Sequence, residues 1–417
     1  MDAMSTTFDL GVSAAVPVAA WGQARLLAGT TSGRLDLSRH REVHGLPRRY
    51  DAAQLATALA CVGLLGRGGA AFPVAAKLRG VATGRRTHVL VNGSEGEPAS
   101  HKDRILMRLA PHVVLDGALA VASALEAGHL TIVVQDGLSL ASMTAAVRER
   151  QDARAVRLVR HDHGFVGGEV RAVVRSLSGG PAAPPGRRVL PTVHGIDGRP
   201  TFASNVETFG HIALVASLGV DRFAEVGAPD EPGTTLVTLL GDVPHAGVLE
   251  VPTGLPLAAL VGADHGPVLV GGYHGTWLPR ASELLVSRPA LRAAGAPLNA
   301  GVLARLPQDT CALGEVAAVA RWLADESSGQ CGPCFFGLPN LADILDQPAV
   351  GRPMLPDAYR RAGLLPGRGA CAHPDGSAGF VRSALEVLDE EIAQHQAHGH
   401  CGRPLRGVLP THAREAP

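Results

Sequence analysis

The run Gly63 to Lys77, GLLGRGGAAFPVAAK, constrains this chain more than any other stretch. Gly66, Gly68 and Gly69 cluster around Arg67 and lead into an alanine-rich segment, so the backbone can approach a ligand with no Cβ in the way. Successive amide N–H groups would face one anion, and a helix predicted from near Phe72 would add the partial charge of its N-terminus. A phosphate suits such a loop; a glycine turn between two helices is the competing reading. Asp51 caps a predicted helix over AAQLATALACVGLL, so the loop joins helix to helix. Neither that setting nor the spacing is the strand–GxGxxG–helix fingerprint, which argues against an ordinary Rossmann or P-loop reading.

With 417 residues, 46% of them hydrophobic, the chain has material for two or three cores. A formal net charge of +0 argues against a nucleic-acid binder or a polybasic membrane anchor. Lys77 and Lys102 are the only lysines in an arginine-biased chain, and both fall in motifs, as expected where a compact ammonium is needed. The N-terminus carries Asp2 and Asp9 and no basic region ahead of its apolar residues, so it does not read as a secretory signal. No apolar run is long enough to span a bilayer. The 6 cysteines fit a reducing cytoplasm and metal chemistry better than a disulfide framework.

Residues 1–45 lack sustained periodicity and read as an arm packed on the main domain. A predicted strand over His88 to Val91 runs into Asn92, Gly93, Ser94, Glu95, Gly96 and Glu97. Carboxylates and an amide at a strand's carboxyl end are placed for a cofactor, with a solvated acidic turn as the alternative. Lys102, Asp103 and Arg104 open a helix expected to continue through His112 to Leu125, and Leu130 to Val134 is the next strand. A helix from Ser139 to Arg150 and a strand from Ala155 to Val159 lead to GFVGGE, residues 164–169. There Glu169 is either a helix cap or a ligand contact. After a Pro-rich loop from Pro181 to Pro191, Asn205 and Thr208 open a predicted amphipathic helix, with a capping box as the alternative.

Taken together, GLLGRGGAAFPVAAK, NGSEGEPASHKDR, GFVGGE and NVET resemble, in order and approximate spacing, one family: the flavin-carrying, NADH-oxidising subunits of respiratory complex I, also found in NAD-dependent hydrogenases and formate dehydrogenases. The resemblance runs from about residue 50 to 395 and implies FMN in an unusual Rossmann-like domain. It implies FMN contacts from Gly66, Arg67, Gly68, Lys77, Asn92, Glu95, Gly168, Glu169, Asn205 and Thr208. Phe72, Lys77, Glu97 and Phe165 would line the nicotinamide pocket, with Lys77 and Glu97 as the catalytic pair. An ammonium suits the negative charge that develops on a reduced flavin. The chain departs from the family at Ser94 (usually Asp), Ser204 (usually Asn), Ala71 (usually Gly), Val170 (usually Glu) and Gly80 (usually aromatic), which thins the nucleotide side more than the flavin side.

Strands, turns and a short helix from Thr234 to Leu278 read as a small β-grasp unit, which the family also carries. Further on, Val316, Val319, Ala320 and Leu323 mark one helix face ahead of SSGQCGPCFFG. Cys331 and Cys334 spell the CGPC of thioredoxins, but they follow a helix rather than a strand. The family instead binds a 4Fe-4S cluster here through four thiolates. Cys331, Cys334 and Cys371 match three of these ligands, and Ser328 replaces the first. A serine alkoxide is harder than thiolate, so the cluster is retained with altered potential, reduced to three irons, or lost. Cys61 and Cys311 read as small buried hydrophobes. The tail from His395 to Cys401, with His398 and His400, reads as a flexible solvated end, with transition-metal chelation as the alternative.

The expected architecture is α/β: an arm (1–45), an FMN/NAD-binding Rossmann-like domain (46–233), a β-grasp domain (234–300), a helical iron-sulfur domain (301–395) and a tail (396–417). The expected function is a cytoplasmic FMN oxidoreductase, soluble or peripheral to a membrane complex. It takes hydride from NADH and passes single electrons through the cluster to a ferredoxin, a 2Fe-2S subunit or a membrane cytochrome. An electron relay that no longer binds NADH and a cofactor-free scaffold are the alternatives.

Overall fold

A computed structural model describes residues 4–6, 16–186, 190–262, 266–281, 283–346 and 354–411. Part of the arm, the end of the Pro-rich loop at 187–189 and the last residues of the tail, 412–417, lie outside the described residues.

The fold is mixed α/β with a helical C-terminal region. Its first sheet is 4-stranded and wholly parallel. In space the order is Arg157–Arg160, His129–Val134, His88–Gly93, Thr201–Asn205, so the third strand in the chain lies outermost and the fourth crosses to the other side of the first. The sequence order thus reverses between His88–Gly93 and Thr201–Asn205, which makes that junction the switch point where ligands bind in doubly wound sheets. His129–Val134, His88–Gly93 and Thr201–Asn205 are largely apolar and buried because helices cover both faces, whereas the edge strand Arg157–Arg160 is partly exposed.

The helix expected to run from Lys102 to Leu125 is two helices, Lys102–Leu109 and Pro111–Ala124, bent by 96°. Pro111 occupies the first turn of the second helix, where its missing N–H costs nothing. Asn205 precedes a helix, Val206–Leu218, as expected, but that helix is buried on nearly all sides rather than amphipathic. No side-chain cap bond forms from Asn205, so the capping-box alternative does not hold. No single helix among the described residues is long and apolar enough to cross a membrane.

The second sheet is 7-stranded, in the order Met4–Thr6, Val18–Ala20, Gly247–Pro252, Thr234–Gly241, Val302–Arg305, Val268–Val270, Thr276–Leu278. Two of its strands come from the arm, and Val302–Arg305, beyond residue 300, pairs parallel with Thr234–Gly241. The arm is held there by Glu250, whose carboxylate accepts the N–H groups of Arg25, Leu26 and Leu27 at 3.1, 2.8 and 2.9 Å. Ala312–Asp325, Leu338–Asp346, Met354–Gly363, His373–Val387 and Asp389–His398 make the helical region, whose core includes Trp277 from the sheet and Tyr273 from the turn before it.

Pro111–Ala124 and Val206–Leu218 pack backbone against backbone at Gly117, where a Cβ would overlap the Phe209 carbonyl oxygen. Gly117→Ala should therefore destabilise the protein by about 3 kcal/mol or more. Gly379→Ala, in a helix with nothing within 4 Å of the added methyl, should be neutral or stabilising by about 0.5–1 kcal/mol. Denaturant unfolding of the two variants checks the contrast.

Candidate functional site

A cavity of about 690 Å³ opens at the carboxyl ends of His88–Gly93 and Thr201–Asn205, where Asn92 and Asn205 are register partners. Three separate turns meet there. The glycine loop brings Gly66, Arg67 and Gly68 to its wall, with Phe72 half exposed at the rim. The acidic turn contributes Asn92, Ser94, Glu95 and Glu97; the third turn contributes Phe165, Gly168 and Glu169; Ser204 and Asn205 close the far side. Asn92 ties two of these turns together by donating Nδ2 to the Gly168 carbonyl at 2.9 Å.

The loop is positioned from behind. Its backbone closes on itself between Gly66 N–H and the Phe72 carbonyl at 2.9 Å, and the following helix starts at Val74, just after Phe72. Thr208 does not border the cavity; its Oγ1 accepts the Arg67 N–H at 2.9 Å, and its hydroxyl bonds Asn205. Arg67 is fully buried and paired with Glu231, which Arg288 also engages at 2.8 Å. Its Nε and Nη2 atoms have no protein partner, although Arg67 borders the cavity. Ala71, where the resembled family has glycine, adopts φ 44°, a left-handed conformation that strains a residue with a Cβ.

Lys77 reaches the cavity with Nζ donating to the Ala203 carbonyl at 2.9 Å, and burial lowers its pKa to about 8. Lys102 has a structural partner set instead: Asp103 at 3.0 Å and Glu207 at 2.9 Å, a buried trio of which Lys102 and Asp103 border the cavity. Its charge beside two carboxylates outweighs burial and keeps it an ammonium. Burial works to raise the Glu95 pKa, but Arg104, Lys102 and the Ser100 hydroxyl outweigh it, so Glu95 remains an anion. Glu97 is different: burial first, and the Glu95 charge second, push it up to about 8. Its Oε2 accepts the Tyr273 N–H at 3.2 Å while Oε1 is buried without a partner. At neutral pH it is a carboxylic acid with a donor to offer. Glu169 both borders the cavity and caps Val170–Leu177 through the Arg171 N–H at 3.1 Å, so the two readings of it are compatible.

Phe165 packs edge-on against His274 at 4.8 Å, and His274 Nε2 meets His373 Nδ1 at 3.1 Å. Sequence reading does not single out these two histidines, nor Asn299, because they come from distant segments with no motif around them. Burial holds His274 near pKa 3 and His373 near 4, so both are neutral.

Cys331, Cys334 and Cys371 lie close enough to act on one another. Burial raises the Cys334 thiol to about 12, helped by Cys331 and Cys371, whereas backbone N–H groups of Ala370 and Cys334 outweigh burial at Cys331 and lower it. Ser327 rather than Ser328 bonds the Cys334 thiol; Ser328 is half-buried and accepts from Gln330 at 3.1 Å. Cys371 also borders the large cavity, so the thiol site and the cofactor-shaped space share a wall. The expectation of a buried Cys61 is corrected, because it ends its helix on the exposed face.

A parallel sheet with a glycine-lined cavity at its switch point, set against a cluster of thiols, has the layout of a nucleotide-type cofactor site beside a metal site. Residues 59–214 match the family model for the Nuo51 FMN-binding domain, and residues 314–395 match the NADH-ubiquinone oxidoreductase-F iron-sulfur binding region. The NADH-quinone oxidoreductase F subunit of Mycobacterium tuberculosis is 30% identical over 377 residues, covering 81% of this chain and 84% of that one. Its counterpart in Streptomyces coelicolor is 30% identical over 366 residues, covering 80% and 81%. A solved NAD+-reducing [NiFe]-hydrogenase, in its air-oxidized state, superposes with a TM-score of 0.79 at 25% identity over 90% of this chain and 67% of that one. The chain belongs to the family of NADH-quinone oxidoreductase F subunits.

Glu97 ionises near 4.5 in an unfolded chain and near 8 in the fold. Protonation is thus favoured by folding, so the stability it contributes is full below about pH 4.5 and is lost as pH rises to 8. Glu97→Gln should lie within about 1 kcal/mol of wild type at pH 5 and be about 2–4 kcal/mol more stable at pH 8.5, flattening the profile between. Denaturant titrations of the cofactor-free proteins across that range measure this.

Proposed function

We propose that this chain is an FMN-dependent, NADH dehydrogenase-type oxidoreductase subunit that accepts hydride from NADH and passes electrons through an iron-sulfur centre to a protein partner. The observation that carries the reading is the shared wall: Cys371 and His373 border the same cavity as the glycine loop. Bound FMN supplies an acceptor for two electrons that leave one at a time.

The residues fit the cofactor. Arg67 keeps two buried guanidinium nitrogens without a partner behind the loop, and Gly68 and Gly69 have nothing within 4 Å where a Cβ would stand. Gly66, Arg67, Gly68, Asn92, Ser94, Glu95, Gly168, Glu169, Ser204 and Asn205 would hold FMN, with Thr208 positioning the loop through Arg67. Phe72, Lys77, Glu97 and Phe165 would face the nicotinamide, Lys77 as the local cation and Glu97 as a neutral donor. Cys331, Cys334, Cys371 and Ser328 would hold the cluster. In this reading the parallel-sheet unit over 46–233 is the Rossmann-like FMN domain, 234–300 the β-grasp domain and 301–395 the iron-sulfur domain. Phe335 and Phe336, exposed beside Cys334, mark where a ferredoxin, a 2Fe-2S subunit or a membrane cytochrome would take the electrons.

A relay that no longer binds NADH is the second reading, favoured by the strained Ala71 next to Phe72 on the nucleotide side. Anaerobic titration of the FMN-loaded protein separates the two. The proposal expects stoichiometric NADH to bleach the flavin band, and bleaching by dithionite alone would select the relay. For the cluster, Ser328→Cys restores a fourth thiolate, so iron should be lost to a chelator about tenfold more slowly than from wild type. Equal loss rates would remove Ser328 from the ligand set.

A further inference from the structure

Away from that cavity, four side chains from three segments converge on one point: Cys311, Glu391, His395 and Cys401, with one ligand atom of each within 4.8 Å of the others. Cys311 is the N-cap residue of Ala312–Asp325. Glu391 and His395 stand one turn apart on Asp389–His398, hence on one face. Gly399, at φ 78°, ends that helix in the left-handed conformation and turns Cys401 back toward it. Three of the four residues are buried. His398 and His400, by contrast, are exposed and take no part.

The spacing is that of a closed coordination shell. Cys311 Sγ lies 3.3 Å from Glu391 Oε1 and 3.3 Å from His395 Nε2, and the latter two are 3.8 Å apart. With metal–ligand bonds of about 2.0–2.3 Å, ligand atoms on a tetrahedron stand roughly 3.2–3.8 Å from one another. Outer partners are also in place: the Gly314 N–H donates to Cys311 Sγ at 3.3 Å, and the Leu313 N–H donates to Glu391 Oε1 at 2.9 Å. Arg403 Nη2 donates to Glu391 Oε2 at 2.7 Å and offsets the single negative charge that two thiolates and a carboxylate leave around a divalent ion. Two soft sulfurs, one imidazole and one carboxylate, four in number with no open position, select Zn²⁺ in a structural role.

We infer that Cys311, Glu391, His395 and Cys401 form a zinc site separate from the cluster position at Cys331, Cys334 and Cys371, and that it pins the C-terminal strap 402–411 to the body of the protein. Binding exchanges the two thiol protons for the metal ion, with no change of oxidation state. The strap is laid down from this point. The Cys311 N–H bonds the Pro404 carbonyl at 2.8 Å, and the Glu315 carboxylate accepts from Arg406, Gly407 and Leu409 N–H at 3.2, 2.7 and 3.0 Å. Leu409 is buried, and the Pro410 carbonyl accepts the Tyr273 hydroxyl at 2.5 Å. Tyr273 in turn holds Glu97 by its backbone N–H at 3.2 Å, so the strap ends behind the cavity floor. The end expected to be flexible is thus tied to the body by hydrogen bonds from Pro404 to Pro410.

The test is metal analysis of the full chain, expressed with both iron and zinc and passed through a chelator. Wild type and Cys331→Ser should each hold about one zinc per chain, and a His395→Ala/Cys401→Ser double variant about tenfold less, with its iron unchanged. X-ray absorption at the zinc edge should show two sulfur and two lighter ligands. His395→Cys, chosen to keep a folded protein, should retain zinc with three sulfurs. Limited proteolysis within 402–411 should quicken about tenfold in the double variant. Zinc absent from wild type, zinc lost from Cys331→Ser but kept by the double variant, or iron in place of zinc at the two sulfurs would each overturn the inference. None of these readouts depends on flavin or NADH activity, so the inference stands or falls apart from the proposed function.

Discussion

The buried carboxylate of Glu231, shared between Arg67 and Arg288, is the interaction on which the rest of the site depends. Arg67 belongs to the glycine loop of the first sheet's domain, whereas Glu231 and Arg288 flank the second sheet, so the pairing locks the loop to a separate layer of the molecule. Three fully desolvated charges would be costly unless hydrogen-bonded on every side. Here the Arg288 N–H also donates to Glu231 at 2.6 Å, and Arg288 reaches Thr235 at 3.2 Å. Thr235 donates in turn to Glu207 at 3.1 Å, which joins this trio to Lys102 and Asp103 beneath the cavity. The net charges of the two trios are opposite and balance, and Arg67 keeps its Nε and Nη2 buried without a partner.

That arrangement explains why an arginine in a glycine loop is buried rather than solvated. The loop needs small residues to let a ligand approach its amides, and small residues alone would leave it mobile. Anchoring it through the side chain of its one large residue, and through Thr208 behind the Arg67 amide, keeps the amides fixed without filling the space in front of them. Preorganised donors of this sort are how a protein stabilises an anionic group without reorganising at the moment of binding.

Much of the site was legible because its chemistry is local. Glycine clusters, Asn92 at a strand end, and the unusual lysines are visible one residue at a time, and the strands that carry them alternate with helices in a regular order. The second layer was not legible, because nothing near Glu231 or Arg288 marks them as partners of a residue more than 160 positions away. The arm strands Met4–Thr6 and Val18–Ala20 are three residues each, too short for a period-two pattern to register. Pro111 marks the break between the two helices, but the apolar run across it is continuous and reads as one helix. The Cys311 cluster escaped for the same reason as Glu231: Cys311 lies eighty positions or more from its partners, and only the short spacings among Glu391, His395 and Cys401 are visible in the chain.

The central claim is that a loop held from behind by Glu231 and Arg288 presents its amides to a phosphate. Fluorescence titration of the cofactor-free protein with FMN and with riboflavin, which lacks only that phosphate, measures this most directly. The account predicts that FMN binds about a hundredfold more tightly, roughly 2.7 kcal/mol. Riboflavin binding within about threefold of FMN, less than 1 kcal/mol apart, would contradict it.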